Sequence, residues 1–536
     1  MASPCVPKSS WIHKSAANMG RVAALWFLSC LLAFPLGAPL RAAETAPDWP
    51  DAAGMARAYG FAPDQVGVTL RRVDGTTRQA HTLAAHRAEA TFIPASVAKL
   101  ATAVAALEVL GGDHRFMTRV RGRGEIVDGR LQGDLILEGG GDPLLGADGL
   151  LALCESLRAA GVRTVEGRFL LDDSRYRRQA VIAESQPGDA TYNPGVSALS
   201  SDFNRVRVLW EPADAEGIAA RTLPALPGLR IAANADAAAP RQGWRAEMHA
   251  ETGALQWRPA PDVPARGGAW LPVKRPAQVT GALFRRLCAR TGLSLPAPGR
   301  IAPADTGAAG TVLARHPSQP VGEIVKAMLA YSNNLVAELL GLATARELTG
   351  RPVSLAESAA ILRDWWRARL PEGGGAFDLG NHSGLNAQGQ ASPARFADIL
   401  AHAHARRYAA PAGTRRGLIS LLPAAGWGGG LGDRLRDPAS AFNVWAKTGT
   451  MNYASGLAGY LLAPGGGRYA FAVFVTDAAA RAAYDAAPDK RAPSLRRDTA
   501  GWIDRAKAFE AAMVRGWMRA LDPACGTEHA AQQQTC

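Results

Sequence analysis

The sequence predicts a mixed α/β fold, in which an antiparallel sheet is flanked by helices and the chain carries a β-rich insertion. Two strand-like stretches with a hairpin signal between them open the chain and lead directly into an apolar helix. From about residue 117 to 317, short alternating strands separated by Gly and Pro dominate instead. Helical periodicity returns from about residue 318, and three consecutive strand patterns follow it, as an antiparallel sheet requires.

These changes in the predicted secondary structure divide the 536-residue chain into parts. The chain is too long for one ordinary domain. We interpret residues 1–43 as a signal peptide and residues 44–116 and 318–522 as the two halves of one catalytic α/β domain. Residues 117–317 would then form one or two inserted β-rich domains, and residues 523–536 a C-terminal tail.

The first 43 residues have the pattern of an export signal. Lys8, Lys14 and Arg21 precede an apolar run at about 22–36, and small residues follow it as cleavage points. The run is too short and too broken by Pro and Gly to predict a membrane span. Met19 is an alternative start that gives a more compact signal. We therefore predict export to the periplasm.

The chain is basic, with a formal charge of +13. The predicted signal peptide holds four basic residues and no acid, so its removal lowers the charge to +9. Such a charge serves solubility, or attracts an anionic envelope polymer or membrane surface. No arginine-rich motif or aromatic stacking platform indicates nucleic acid.

Four of the six cysteines follow the signal segment, too few for a disulfide scaffold in a chain of this size. Cys525 and Cys536 bracket a polar tail and are the predicted bridge. Cys154 and Cys288 lie in apolar helical patterns, where a buried free thiol and a bond are equally consistent with the sequence.

Taken in order, the first half of the α/β domain begins with a short helix at about 47–60. Residues 66–70 and 79–83 alternate like strands, and Asp74-Gly75 between them is a hairpin signal. Pro94 then marks the approach to a helix, which Gly111-Gly112 end.

The insertion is predicted from short strands and two helices. Its strands are expected at 118–123, 134–138, 168–172 and 205–210, and its helices at 150–160 and 278–291.

The second half of the α/β domain combines helices with the three-strand pattern. Helices are predicted at 321–329, 335–348, 354–370, 393–405 and 501–520, and strands at 442–446, 456–461 and 469–475. In the closing helix, Trp502, Phe509, Met513 and Trp517 recur at helical spacing, which is typical of packing against a core.

Ser96 and Lys99 are the candidate reactive pair, because three residues apart on a helix they share a face. A serine hydroxyl is a poor nucleophile until a base takes its proton, and a lysine can do so only when it is held neutral. Alone, the tetrapeptide is as consistent with a capping serine and a solvated lysine. Lysine is rare here, however, with eight against fifty-two arginines, and only Lys99 follows a serine by three positions.

Two further short motifs follow in order. Ser332-Asn333-Asn334 lies between two predicted helices, where a loop can aim side chains into a cleft or simply cap the second helix. Lys447-Thr448-Gly449-Thr450 is expected to end a strand, where the lysine can bind a carboxylate and the glycine lets a ligand approach the backbone. Each motif alone has an ordinary structural explanation.

Together, Ser-x-x-Lys, Ser-x-Asn and Lys-Thr-Gly resemble the ordered signature of penicillin-binding proteins and serine β-lactamases. In detail the chain is more similar to low-molecular-mass penicillin-binding proteins of class C type, the D-alanyl-D-alanine carboxypeptidases and endopeptidases with a long insertion between the first two motifs. Ser96 and Ser332 are 236 residues apart, more than class A or C β-lactamases allow. The resemblance extends to residues 92–107, 139–144, 332–340 and 446–460.

This resemblance implies a β-lactamase/transpeptidase-like catalytic domain and a set of roles. Ser96 would be the acylated nucleophile and Lys99 the acceptor of its proton. Ser332 would relay a proton towards the leaving amine. The backbone N–H groups of Ser96 and Thr450 would form the oxyanion hole.

The resemblance also implies substrate-binding residues. Asn334 would hold the peptide backbone. Lys447 would keep Lys99 neutral and, with Thr448 and Thr450, would face the C-terminal carboxylate of the substrate. The full substrate-binding set is Asn334, Lys447, Thr448, Gly449, Thr450 and Ser383.

One stretch departs from the family pattern. Between the second and third motifs the family usually has Asp-Gly-Ser-Gly-Leu-Ser, whereas this chain has Asn381-His382-Ser383-Gly384-Leu385-Asn386. Ser383 is kept, while an acid and a small glycine are replaced. We expect this departure to affect substrate preference rather than acylation.

The predicted function is a periplasmic serine D-Ala-D-Ala carboxypeptidase that acts on peptidoglycan peptides, with D,D-endopeptidase activity left open. Penicillins would acylate it, and no metal, cofactor or nucleic acid is expected. Peripheral membrane association and a homodimer are also left open. The alternatives are a β-lactamase or esterase on the same scaffold, and a catalytically weak peptidoglycan-binding protein.

Overall fold

The computed structural model describes residues 48–73, 81–213, 217–226, 229–248, 255–302 and 310–522, which belong to one compact unit. In chain order its helices are α1 (Ala52–Ala58), α2 (Lys99–Val109), α3 (Ala147–Ala159), α4 (Pro276–Arg290), α5 (Val321–Tyr331), α6 (Asn334–Thr349), α7 (Leu355–Arg367), α8 (Pro393–His404), α9 (Ala478–Ala486) and α10 (Pro493–Ala520).

The strands of the first two thirds of the chain are β1 (Val66–Arg72), β2 (His81–His86), β3 (Met117–Arg123), β4 (Ile126–Val127), β5 (Arg130–Leu131), β6 (Asp134–Glu138), β7 (Thr164–Val165), β8 (Phe169–Asp172), β9 (Arg205–Pro212), β10 (Ile218–Leu223), β11 (Leu229–Ile231), β12 (Trp244–Met248), β13 (Leu255–Pro259), β14 (Gly267–Pro272), β15 (Pro298–Arg300) and β16 (Thr311–Pro317). They are followed by β17 (Phe377–Asp378), β18 (Gln390–Ala391), β19 (Tyr408–Ala409), β20 (Arg415–Arg416), β21 (Val444–Met451), β22 (Ala454–Leu462) and β23 (Arg468–Thr476).

Strands from both ends of the chain build a five-stranded antiparallel sheet in the order β2–β1–β23–β22–β21. The N-terminal hairpin therefore extends the three C-terminal strands into one sheet. The predicted Asp74-Gly75 turn of that hairpin lies outside the described residues. The prediction of an antiparallel sheet within a mixed α/β fold is confirmed.

Helices cover both faces of this sheet. Helices α2, α5, α6 and α8 share one apolar core with strands β22 and β23. Helices α1 and α10 pack in a second core on the other side, where the side chains of Trp502, Phe509, Met513 and Trp517 are buried as predicted. Helix α10 begins at Pro493 rather than near residue 501, because its first two turns are mostly polar and carry little apolar periodicity.

The insertion leaves and rejoins the α/β domain at one place. Its first strand, β3, pairs antiparallel with its last strand, β16. Just outside this pair, the backbone N–H of Ser318 donates to the carbonyl of Phe116 at 2.8 Å, and the Ser318 hydroxyl accepts from the Phe116 N–H at 2.9 Å. The exact domain boundaries stay a prediction.

Most of the insertion packs around its own core. Strands β15, β8, β6, β3 and β16 form a five-stranded mixed sheet, and three three-stranded sheets have the orders β10–β9–β14, β11–β13–β12 and β4–β5–β7. Helices α3 and α4 share an apolar core with these sheets. Cys154 on α3 and Cys288 on α4 form a disulfide, which decides between the two alternatives that the sequence left open.

The two ends of the chain limit what the structure describes. The predicted signal peptide and the predicted Cys525–Cys536 bridge lie outside the described residues. Within the described ranges, no helix combines the length and apolarity needed to cross a membrane.

Candidate active site

Ser96 lies in a tight helical turn directly before α2. Pro94 precedes a 3₁₀ turn, Ala95–Ala98, and Lys99 continues it as the first residue of the α-helix. Ala95 has a φ of 45°, a left-handed conformation that is strained for a residue with a side chain. This turn leaves the Ser96 hydroxyl at the wall of a cavity while Lys99 is fully buried beneath it.

Lys99 Nζ lies within hydrogen-bond distance of three oxygen atoms. These are Ser96 Oγ at 2.9 Å, Asn334 Oδ1 at 2.8 Å and the Ser383 carbonyl at 2.7 Å. A neutral amine has two N–H donors and one lone pair. The amide oxygen and the carbonyl can only accept, so they take the two N–H bonds. The lone pair is then left for the proton of the Ser96 hydroxyl.

Burial and a neighbouring cation favour this neutral amine. Burial lowers the pKa of the Lys99 ammonium well below its ordinary value, and the positive charge of Lys447 lowers it further. The Glu338 carboxylate acts in the opposite direction on the same pKa. The arrangement suits Lys99 to act as a base towards Ser96.

The second motif forms the turn between α5 and α6. Ser332 ends α5 in the left-handed conformation with a φ of 55°, and the Asn333 side chain caps α6 by accepting from Val336 N–H at 3.2 Å. Within this motif, Asn333 therefore caps the helix, while other residues face the cleft. Ser332 and Asn334 line the cavity beside Ser96.

The strand predicted at 442–446 is β21, Val444–Met451, so the third motif forms the last part of the strand, which ends one residue after Thr450. β21 is the edge strand of its sheet, so one row of its backbone groups faces away from β22. At Gly449 an added Cβ would lie 2.6 Å from the Pro94 carbonyl oxygen, so only glycine lets the strand approach the Ser96 turn so closely. The predicted oxyanion donors, Ser96 and Thr450, both line the cavity.

The other side chains of the third motif lie in different surroundings. Lys447 is buried, its Nζ donates to the Thr448 carbonyl at 2.7 Å, and burial lowers its pKa to about 7. The Thr448 hydroxyl lies towards Gly430, where an added Cβ would be only 2.4 Å away. Of the three predicted carboxylate contacts, Thr450 is the one that lines the cavity.

Glu338 is a residue of the site that the sequence analysis missed. It lies one turn after Asn334 on α6 and is fully buried. Its carboxylate accepts from the backbone N–H groups of His382 at 3.1 Å and Ser383 at 3.0 Å. The carbonyl of Ser383 in turn accepts from Lys99. Glu338 thus fixes the segment that orients the amine.

Ser383 itself is also fully buried. Its hydroxyl accepts from Leu385 N–H at 3.2 Å, whereas the neighbouring Gly384 and Leu385 line the cavity. This position does not support the predicted role of Ser383 as a direct substrate contact, and a structural role in the turn replaces it.

The departure at Asn381-His382 is accommodated away from the cavity. His382 is buried with its ring against Gly341, where an added Cβ would lie 2.1 Å from the ring. Its Nε2 lies 2.7 Å from Ser358 Oγ, and burial lowers its pKa to about 3, so the ring is neutral. Asn381 holds the turn by accepting from Gly384 N–H at 2.9 Å.

The cavity that these elements enclose has a volume of about 320 Å³. It contains a nucleophile with its base, hydroxyl and amide groups for a peptide, and a cation, Arg481, that is held by Asp485. Among the described residues, no group of His, Cys, Asp and Glu side chains is arranged to bind a metal ion. The arrangement can perform acyl transfer to Ser96.

Comparison with known proteins gives matches over most of the chain. Residues 62–494 match the model of the D-Ala-D-Ala carboxypeptidase 3 (S13) family. A D-alanyl-D-alanine carboxypeptidase of Actinomadura sp. (strain R39) is 32% identical over 407 residues, which cover 70% of this chain and 72% of the relative.

Solved structures match the fold. The crystal structure of penicillin binding protein 4 (dacB) from Haemophilus influenzae has a TM-score of 0.69 at 21% identity, covering 88% of this chain and 99% of that one. The same protein complexed with a novel β-lactam has a TM-score of 0.65 at 20% identity, with coverage of 86% and 98%.

Proposed function

Because the chain belongs to the D-Ala-D-Ala carboxypeptidase 3 (S13) family, we propose that it cleaves peptidoglycan stem peptides through an acyl-enzyme on Ser96. The chain is a serine-type D-Ala-D-Ala carboxypeptidase/endopeptidase and a penicillin-binding protein. The observation that carries the assignment of Ser96 is its 2.9 Å contact with the fully buried amine of Lys99.

In the acylation step, Ser96 Oγ attacks the carbonyl carbon of the penultimate D-Ala while its proton passes to Lys99 Nζ. The negative charge that develops on the carbonyl oxygen is held by the N–H groups of Ser96 and Thr450, each worth roughly a few kcal/mol in such sites. Ser332, in the same cavity, gives its proton to the leaving amine and takes the proton that Lys99 received, so the C–N bond breaks and Lys99 is neutral again.

Hydrolysis then reverses the proton movements. A water molecule gives a proton to Lys99 and attacks the ester carbon, and Ser96 recovers its proton as the acid product leaves. A penicillin follows the first half of this path, because opening its strained lactam leaves an acyl group on Ser96. The leaving amine stays tethered to that acyl group, which favours a long-lived adduct.

The edge of strand β21 and the side chains of Asn334 and Thr450 recognise the substrate. Asn334 donates its Nδ2 to the Tyr192 carbonyl and holds Lys99 with its oxygen, so its amide is already fixed when a peptide binds. Thr450 contacts the C-terminal carboxylate of the peptide, and its place at the cavity wall supports this role. The Lys447 charge adds a positive potential to this end of the site.

The periplasm is the proposed location, supported by the export pattern at the start of the sequence. Association with a membrane surface and with a second copy of the chain stay predictions of the sequence.

Release of D-Ala from a short N-acylated peptide ending in D-Ala-D-Ala tests this function. We expect turnover by the native chain and none by Ser96→Ala. Rapid turnover of benzylpenicillin without a stable adduct would instead favour the β-lactamase alternative. Binding of peptidoglycan with no cleavage of any peptide would favour the wall-binding alternative.

A further inference from the structure

A groove borders the catalytic cavity along the boundary between the α/β domain and the insertion. The groove has a volume of about 910 Å³ and shares lining residues with the cavity. The shared residues are Pro187, Tyr192, Asn452, Tyr484 and Lys490. The groove and the catalytic cavity are therefore adjacent, and the same five residues border both.

The two walls of the groove are fixed to each other and to the catalytic residues. Arg491 Nη2 lies 2.6 Å from Asp189 Oδ1, and Arg241 Nε lies 3.0 Å from Asp489 Oδ2, so two ion pairs join the insertion to the α/β domain. The Tyr192 carbonyl accepts from Asn334 Nδ2 at 3.0 Å. These contacts fix the shape of the groove and its position next to the catalytic cavity.

The loop that forms one wall is also fixed internally. Buried Asn193 accepts from Ile182 N–H and Ala183 N–H, both at 2.9 Å, and donates to the Ala183 carbonyl at 2.9 Å. These bonds close the loop that carries Asp189 and Tyr192.

The lining of the groove carries an excess of positive charge. Five basic residues line it against one acidic residue, Asp189; the basic residues are Arg241, Arg266, Lys490, Arg491 and Arg496. Nearby carboxylates pair with three of the five basic residues. Arg241 contacts Asp262 and Asp489. Arg491 contacts Asp189, and Lys490 lies 3.9 Å from Asp485. Within the described part of the chain, the exposed side chains of Arg266 and Arg496 have no ion pair.

Aromatic rings line the same groove. Trp270 is 44% exposed and Tyr192 is 48% exposed, and both line the groove together with Tyr484. The guanidinium of Arg205 lies over the Trp270 ring at 4.9 Å, which holds the ring in place. Rings of this kind present apolar faces with polar edges to a ligand that is itself part apolar and part polar.

We propose that this groove binds a carboxylate-bearing part of the peptidoglycan polymer beyond the peptide that is cleaved. The inference rests on the proposed function, and it adds a second contact between enzyme and polymer. Free guanidinium groups match the carboxylates of neighbouring stem peptides. The exposed rings match the mixed polar and apolar surface of the glycan and peptide. A short peptide that fills only the catalytic cavity does not reach Arg266 or Arg496.

The test compares two doubly substituted enzymes with the same change in charge. Arg266→Ala/Arg496→Ala removes the two free cations of the groove. Arg290→Ala/Arg497→Ala removes two exposed arginines outside it, one from the insertion and one from α10. We measure D-Ala release from purified insoluble peptidoglycan and from a short N-acylated peptide ending in D-Ala-D-Ala, each at low and high salt.

We expect the groove variant to lose about fivefold to tenfold in kcat/KM on the polymer at low salt, the scale of two exposed charge contacts. The loss should shrink at high salt because the contacts are screened. Turnover of the short peptide should equal that of the native and control enzymes. Equal losses on both substrates, or no loss on the polymer, would overturn the proposal.

A binding measurement separates this proposal from the proposed function. In a Ser96→Ala background, the groove substitutions should weaken co-sedimentation with insoluble peptidoglycan while the control substitutions do not. This readout needs no catalysis, so it stands even if peptide cleavage fails. The same co-sedimentation is repeated with vesicles of anionic lipid. If the groove substitutions weaken binding to the vesicles but not to peptidoglycan, the assignment of the ligand is wrong.

Discussion

At the scale of single residues, the proposed chemistry depends on the protonation state of Lys99. The amine is fully buried, and the nearby Lys447 charge opposes its protonation. Both conditions are needed because a charged ammonium has no lone pair with which to accept the Ser96 proton. In the proposed mechanism, the serine is therefore activated without a histidine.

The first prediction concerns the pH dependence of acylation. The rate should rise with pH as Lys99 loses its proton and then reach a plateau. Lys447→Met removes a charge that lowers the Lys99 pKa, so the Lys99 pKa should increase and the rise should move to higher pH. A neutral thioester substrate is used, so that a lost carboxylate contact does not obscure the midpoint.

Lys326→Met, an exposed lysine on α5, is the control and should leave the midpoint unchanged. The Lys447 effect should be largest below pH 7, where Lys447 itself carries its charge. A midpoint that stays in place, or moves to lower pH, would mean that Lys447 does not act on the Lys99 pKa.

At the scale of elements, the site is made where a helical turn, an interhelical turn and a strand edge meet. The short motifs predicted each of these places, because each motif combines local backbone preferences with the chemistry of its side chains. The strand containing Lys447 continues to Met451, since Thr448 and Thr450 are compatible with extended backbone. The sequence predicted a strand only to residue 446, and Gly449 further along it allows close packing against Pro94.

Long-range contacts explain what the sequence did not predict. Glu338 lies on α6 with an apolar pattern all around it, and its partners at His382 and Ser383 are more than forty residues away. Likewise, His382 fits only because Gly341 leaves space for its ring. Neither pairing has a local signal, and both require the three-dimensional neighbours of α6.

The second prediction tests Glu338 as a positioning residue. Glu338→Gln has one acceptor oxygen for two backbone N–H groups, so the turn at His382 and Ser383 should loosen. We expect acylation by penicillin to slow by about one to two orders of magnitude. Loss of the carboxylate should also lower the Lys99 pKa and move the rise of the pH profile to lower pH, opposite to Lys447→Met.

Ser358→Ala is the matched control. It removes the hydroxyl group that contacts His382, a residue of the turn that Glu338 holds, and it changes no charge. It should slow acylation mildly and leave the pH midpoint in place. If Glu338→Gln slows acylation with no shift of the midpoint, its role is structural only and the electrostatic part of the account fails.

At the scale of the whole molecule, the insertion has its own core and its own covalent link. Strands β3 and β16 close it at one place, while the Cys154–Cys288 disulfide joins α3 and α4 within it. The link spans a sequence separation of 134 residues. Composition and strand texture predicted a β-rich insertion, but the bond required knowing that the two helices are neighbours.

The third prediction is that this disulfide stabilises the insertion and not the catalytic chemistry. Closing so long a loop is worth up to about 5 kcal/mol in the chain-entropy model. Cys154→Ala/Cys288→Ala should therefore lower the Tm of the protein, measured by calorimetry, while the folded variant is still acylated by penicillin at the native rate. A variant of unchanged Tm, or alkylation of both thiols in exported protein without prior reduction, would contradict this role.

The central claim is that Ser96 is the nucleophile, and the most direct test is mass spectrometry after incubation with a labelled penicillin. Peptide mapping should find one covalent adduct, on Ser96, since its hydroxyl alone contacts the buried Lys99 amine among the described residues. Ser96→Ala should carry no label. An adduct that persists in Ser96→Ala, or that maps to Ser332 or Ser383, would contradict the account.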